Sequence, residues 1–270
     1  MPPDYSVADV GPAEWRRLLS PIGALWLALL GYGLVAAGVR APARPDVVWW
    51  SAAAAVALLA WAGIGLIALS SGRLLERLWL SRWPRLGARL TSRRVRRWSE
   101  LQSAIEASAN EATVRRLVRR RNAIALAAPQ CPYWIADRWA SVGVRVQGAY
   151  GLDAARAWPR LWLTLPEPVR VELRRAAARW HRACVWSSWA VLYAVLTPVW
   201  RPAGALAMVL GFYAWANART SIDYRAELVE ATFDTHGNGL AEAMGVDLKP
   251  RSPLDLTAGH EITARIRKGV

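Results

Sequence analysis

Two runs without a charged residue, 21–39 and 47–70, stand seven residues apart near the start of the chain. At 19 and 24 residues, each has the length a helix needs to cross a hydrocarbon core of about 30 Å. Lipid offers backbone groups no outside partner, so such runs close their hydrogen bonds within themselves as helices. Pro42 and Pro45 turn the chain between them, which makes residues 21–70 a hairpin. A second uncharged pair, 183–200 and 203–218, turns at Arg201 and Pro202 and is shorter, at 18 and 16 residues. A buried hairpin of a soluble protein competes for that second pair. Against it stand Trp186, Trp189, Trp200 and Trp215, whose indoles favour the headgroup region, and a break in charge at both ends. The expected fold is all-α: an integral membrane protein with four transmembrane helices in two hairpins, 21–70 and 183–218, and a helical cytoplasmic domain between helices 2 and 3.

Charge sets the orientation. Residues 72–182 carry 23 arginines against eight acids, a net +15, and the remaining basic and acidic residues cancel at twelve each. Lys and Arg are retained on the cytoplasmic side of a membrane, so residues 71–182 form a basic cytoplasmic domain. The leader 1–20 and the segment 219–270 then lie in the cytoplasm too, and the location is the inner (cytoplasmic) membrane. The exterior loops hold only Arg40, Arg44, Asp46 and Arg201 as charged residues, too little protein to act as a receptor. A cleaved signal is not expected, because the leader bears three acids beside Arg16 and Arg17, and Arg40 stands where a small-residue cleavage site belongs. Cys131 and Cys184 lack CxxC spacing, one in a cytosolic loop and one in an apolar helix, so no disulfide is expected.

The cytoplasmic domain reads as helical throughout. Residues 73–83 place Leu74, Leu75, Leu78, Trp79 and Trp83 on one face, with Arg73, Glu76, Arg77 and Ser81 opposite, an interfacial amphipathic helix. Pro84 and Gly87 interrupt it. Ser99 with Gln102 predicts a capping box opening a helix that runs to Arg121, its stripe carried by Leu101, Ile105, Ala109 and Ala112. Ile135, Trp139, Val142 and Val146 predict another helix, stopped by Gly151; Asp153 caps the next, which Pro159 and Pro166 break. Pro168 suits the first turn of a helix running to Thr197, a 30-residue rod joining the cytosolic domain to the third crossing. The last crossing continues as a helix to Phe233, the Asp-Thr-His-Gly-Asn-Gly run from Asp234 turns it, and a short helix follows near 240–244. The tail from Asp247 is polar, punctuated by Pro and Gly, and expected to be mobile.

Residues 131–170 contain the segments PYWIADRW and YGLDAARAWPRLWLTLPEPVR. They resemble a block that recurs in an uncharacterised family of multi-pass membrane proteins from high-GC Gram-positive bacteria, in which YGLD is followed by WPRLW and then LP. The resemblance implies the membrane architecture. It carries over no catalytic residue, because none is assigned in that family. Read from its residues alone, the block is a helix–turn–helix packing element in which Tyr150, Trp158 and Trp162 supply buried area.

Arg73, Arg77, Arg82, Arg85, Arg89, Arg93, Arg94, Arg96 and Arg97 make up the candidate headgroup-binding set. Beside a membrane helix such residues attract anionic lipid at ~1 kcal/mol each; simple topogenic retention is the bland alternative. Nucleic acid is the rival anion, with Trp79, Trp83 and Trp98 available to stack bases. Proximity to the membrane and the absence of an RNP, KH or helix-turn-helix signature disfavour it. Trp139, Tyr150, Trp158 and Trp162 are the candidate docking residues for an unknown cytoplasmic protein partner.

No cofactor or metal is expected. His181, His236 and His260 have no ligand spacing. The run from Asp234 begins like a calcium loop, but His236 stands at a ligand position and Gly245 where the bidentate Glu belongs, so a solvated turn is the better reading. The sequence holds no GxSxG, Walker loop or strand-borne GxGxxG, and Asp223, Glu227 and Glu230 read as an exposed helix face, so no enzyme is expected. None of the four crossings carries an ionisable residue of the kind that lines ion paths. Gly31, Gly33, Ala37 and residues 52–55 would let helices approach closely enough for a homo-oligomer, although small residues are also ordinary in Ala-rich membrane helices. The favoured function is a non-enzymatic membrane anchor or scaffold that presents a basic helical domain to a cytoplasmic partner and to anionic lipid headgroups. The alternative is an oligomeric channel or membrane-perturbing effector.

Overall fold

A computed structural model describes residues 23–28, 31, 47–80, 86–246 and 254–268, and the structural statements below refer to these. The chain is all-helical there, with no strand among the described residues. In order it forms α1 (Val47–Leu80), α2 (Leu86–Glu106), α3 (Glu111–Ile124), α4 (Trp134–Tyr150), α5 (Ala154–Thr164), α6 (Glu167–Leu196), α7 (Pro202–Ala243) and α8 (Leu256–Ile266). Residues 23–28 are helical as well. The chain divides into two compact units, one holding Ala8–Leu78 and Arg179–Ala218, the other Trp79–Ala178 with the residues from Arg219 onward. Most of the first predicted crossing and the leader lie outside the described residues.

The first unit is apolar inside and outside. Ile64 and Ala68 of α1 pack on Trp189, Tyr193 and Leu196 of α6 and on Ala203 of α7. Gly72 lets α1 lie close to α6: a Cβ there would stand 3.0 Å from Val185 Cγ2. The outward side chains Val56, Leu59, Val195, Met208, Val209 and Phe212 are all exposed. Polar side chains bond back into their own helix, Ser187 to the Ala183 carbonyl at 3.1 Å and Asn217 to that of Tyr213 at 2.8 Å, which is how such groups are satisfied where water is absent. Among the described residues one helical stretch, Ala53–Leu80, is long and apolar enough to cross a membrane, and only 11% of its apolar window is buried in protein.

The second hairpin is shorter than its sequence suggests. Thr197 and Pro198 begin the turn, so α6 ends at Leu196 and the apolar run predicted as the third crossing loses its last four residues as helix. The cause is Pro198, which disfavours helix at the residue before it. Residues 183–196 are 14 in number, about 21 Å of helix.

The second unit is organised around α4. Its stripe of Ile135, Trp139, Val142 and Val146 is buried as predicted. Gly151, at φ 68°, terminates it, and Asp153 caps α5 by accepting from the Arg156 backbone N–H. Residues 134, 139, 145 and 150 of α4 meet 219, 225, 230 and 234 of α7 in ascending order, so the two helices run parallel. Trp158 of α5 closes this core against Phe233, their ring centroids 6.0 Å apart.

Four local expectations are corrected here. Pro159 does not break α5, because Ala154, Ala157, Trp158 and Leu161 bury one side of the helix and hold it through the proline. Ser99 does not open a helix; it lies inside α2 and bonds the Arg96 carbonyl, and a turn capped by Asn110 separates α2 from α3. The Asp234 run is not a turn. It is helical, α7 continuing to Ala243, with Gly237 set against Leu254 (3.2 Å from a built Cβ). Nor is the tail mobile over residues 254–266: Asp255 caps α8, and Ala258, Ile262 and Ile266 bury its inner face.

Candidate anion-binding surface

The arginine-rich segment folds as an antiparallel helical arm. Trp98 of α2 donates its indole N–H to the Ala125 carbonyl at 3.0 Å, and the Arg121 guanidinium of α3 stands 5.6 Å from the Trp98 ring centroid. Arg121 also bonds Gln102 at 2.7 Å. No residue of α3 is buried. Residues 86–124 hold ten arginines against three acids, a net +7.

Arg73 and Arg77 on α1, and Arg89, Arg93, Arg96 and Arg97 on α2, are exposed. Arg82 and Arg85 lie outside the described residues. Arg94 does not belong with the exposed set. It turns inward and donates to Asp137 Oδ2 and to the Ile124 carbonyl, both at 2.6 Å. Its side chain ties the arm to the start of α4 instead of facing a headgroup. Glu76 departs from its predicted polar face as well, accepting from the Trp180 indole at 2.8 Å with His181 Nδ1 3.9 Å away.

Beneath the arm, Asp137 and Arg138 face opposite ways. Asp137 Oδ1 accepts the backbone N–H groups of Gln130 and Cys131, each at 2.8 Å. Burial pushes its carboxyl above the usual range, against the opposing pull of those N–H groups and of Arg94. Arg138, its side chain 3% exposed, reaches α7 and pairs with Asp223 at 2.6 Å and Glu230 at 2.8 Å, and Arg145 adds a second cation to Glu230 at 2.7 Å. Of the three acids expected on an exposed helix face, Glu227 is exposed, whereas Asp223 and Glu230 pair with Arg138 and hold α7 to α4.

The docking set divides. Trp139 is 2% exposed and Trp158 4%; both are core residues with no surface to offer a partner. Trp139 carries the Arg225 guanidinium 4.5 Å from its ring centroid. Tyr150 and Trp162 are half-buried. The Tyr150 hydroxyl donates to Asp234 Oδ1 at 2.7 Å, and that carboxylate pushes the phenol up to about 12, so the bond stands throughout the neutral range. His236 bonds its neighbour Thr235. No group of three or more His, Cys, Asp or Glu is placed to hold a metal ion among the described residues.

The chain finds no match among protein-family models, curated proteins or solved structures.

Proposed function

We propose that this chain is a non-enzymatic anchor of the inner membrane, four-crossing with both termini in the cytoplasm, which presents its basic helical unit to anionic headgroups and to a cytoplasmic protein. Membership of the bacterial membrane-protein family whose YGLD block it resembles is part of the same proposal. The observation that supports the reading is the outward apolar surface of the first unit. Val56, Leu59, Met208 and Phe212, each at least 65% exposed, would cost about 1.5–3 kcal/mol apiece if left in water. A bilayer removes that cost. The shortness of the second hairpin is met by local thinning of the bilayer, with Trp186, Trp200 and Trp215 available as interfacial anchors.

The test is a single cysteine in the α2–α3 turn, Ala109→Cys. Native Cys131 and Cys184 are buried and give little background. An impermeant maleimide is expected to leave intact cells unlabelled and to label inverted vesicles, and the chain should stay in the membrane pellet after alkaline carbonate. Labelling of intact cells, or release by carbonate, would reject the reading.

A further inference from the structure

The arm carries a second arginine row that the sequence reading did not assign to the headgroup site. Arg89, Arg93 and Arg97 repeat every four residues along α2, and Arg116 and Arg120 do so along α3. In an antiparallel pair packed through residues 94, 98, 102 and 121, helical periodicity brings both rows to one side. None of these five makes an ion pair within the described residues. The arm's three acids are committed elsewhere: Glu100 to Arg96 at 4.0 Å, Glu106 to Gln102 at 2.7 Å and Glu111 to Arg115 at 2.5 Å. Five guanidinium groups therefore share one face with no counterion among the described residues.

We infer that this two-row face is a docking site for the phosphates of an anionic bilayer, an inference that rests on the membrane reading above. Two observations favour lipid over nucleic acid. Leu90 lies on the same side of α2 as Arg93 and Arg97 and is 52% exposed, an apolar group fit to enter the acyl boundary while its neighbours hold headgroups. Trp98, the arm's aromatic residue, is spent on the hairpin itself and offers no free ring for base stacking.

The test places a donor fluorophore on Ala109→Cys in the full-length chain, reconstituted in nanodiscs bearing acceptor-labelled lipid. Discs of phosphatidylcholine alone are compared with discs that also contain phosphatidylglycerol. Energy transfer is expected to rise in the anionic discs and to fall with added salt. Each arginine near the surface contributes on the order of fivefold to such binding. The pair Arg116→Gln and Arg120→Gln should therefore weaken it roughly twenty-five-fold, and Leu90→Ser should lower transfer without changing its salt dependence. Equal transfer in both kinds of disc overturns the anion site while leaving the membrane reading intact. Unchanged binding in the Arg116→Gln, Arg120→Gln pair overturns the two-row face. A short oligonucleotide that abolishes transfer at equal phosphate concentration reassigns the site to nucleic acid. A chain that fails to enter discs refutes the membrane reading itself, and this inference with it.

Discussion

Replacing Arg138 by alanine is expected to cost the basic unit ~3–5 kcal/mol, the range found when one partner of a buried ion pair is removed. The guanidinium is nearly inaccessible, and its planar fork spans two acids on α7, Asp223 through Nε and Glu230 through Nη1. A lysine has no such fork. Truncation affects those two acids unequally. Asp223 is half-exposed and rehydrates, whereas the Glu230 side chain is 12% exposed and, among the described residues, keeps the one cation Arg145, itself half in solvent. Most of the loss therefore arises at Glu230. Asp223→Ala should cost under about 1 kcal/mol, and Arg138→Met combined with Glu230→Gln should recover much of the stability lost in Arg138→Ala. Urea unfolding of the purified full-length protein, followed by tryptophan emission, reads the series. If Arg138→Ala unfolds at the wild-type midpoint, the pairing is peripheral and α4 is held to α7 by apolar packing alone.

What could be read from the sequence was what local chemistry determines. The α4 stripe at residues 135, 139, 142 and 146, the left-handed stop at Gly151 and the cap at Asp153 each depend on residues within a few positions, and each formed where predicted. The inward turn of Arg94 was readable in part. Extending the stripe of Leu101 and Ile105 backward by three and then four residues arrives at Trp98 and then Arg94, so helical spacing alone removes Arg94 from the exposed row. Its partner Asp137, 43 positions away, carries no local sign. The same holds for Asp223 and Glu230, whose spacing resembles a solvated face until α4 supplies the buried arginine.

Distance along the chain also explains the misread turn at Asp234. Gly237 and Gly239 weaken a helix, and Asp, Thr and Asn favour turns, so local propensity argued for a break. Packing prevailed: Phe233 and Leu240 are fully buried on one side of α7, and Leu254 covers Gly237. Thr235 bonds back to the Ala231 carbonyl at 2.8 Å, keeping its hydroxyl within the helix. The C-terminal helix was missed for a different reason. Pro250 and Pro253 and the shortness of α8 hid a signal that was present, an Asp255 cap followed by Ala258, Ile262 and Ile266 at spacings of four.

Gly259→Ala is expected to release α8 altogether. A Cβ built at Gly259 lands on the Tyr150 carbonyl oxygen and 2.9 Å from its carbon, and both are backbone atoms at the end of α4 that no rotamer change can move. Overpacking usually costs 1–3 kcal/mol because side chains yield; here the helix must back away as a whole. Withdrawal also breaks the Thr263 bridge, in which the hydroxyl donates to the Gly151 carbonyl at 3.2 Å and accepts the Asp153 N–H at 3.1 Å. It removes Arg265 as well, whose Nη1 lies 2.8 Å from the Met244 carbonyl at the end of α7. An 11-residue helix deprived of its docking surface is too short to persist in water, so undocking and unfolding of α8 become one event. Amide exchange over residues 254–268 should approach the rate of unstructured peptide, while the α4 amides upstream of Gln147 keep their protection. Gly148→Ala is the control, since a Cβ there meets nothing within 4 Å; it should be neutral or stabilise α4 by about 0.5–1 kcal/mol. Full protection of α8 in Gly259→Ala would mean that the helix docks through its side chains and that the backbone contact at Tyr150 does not position it.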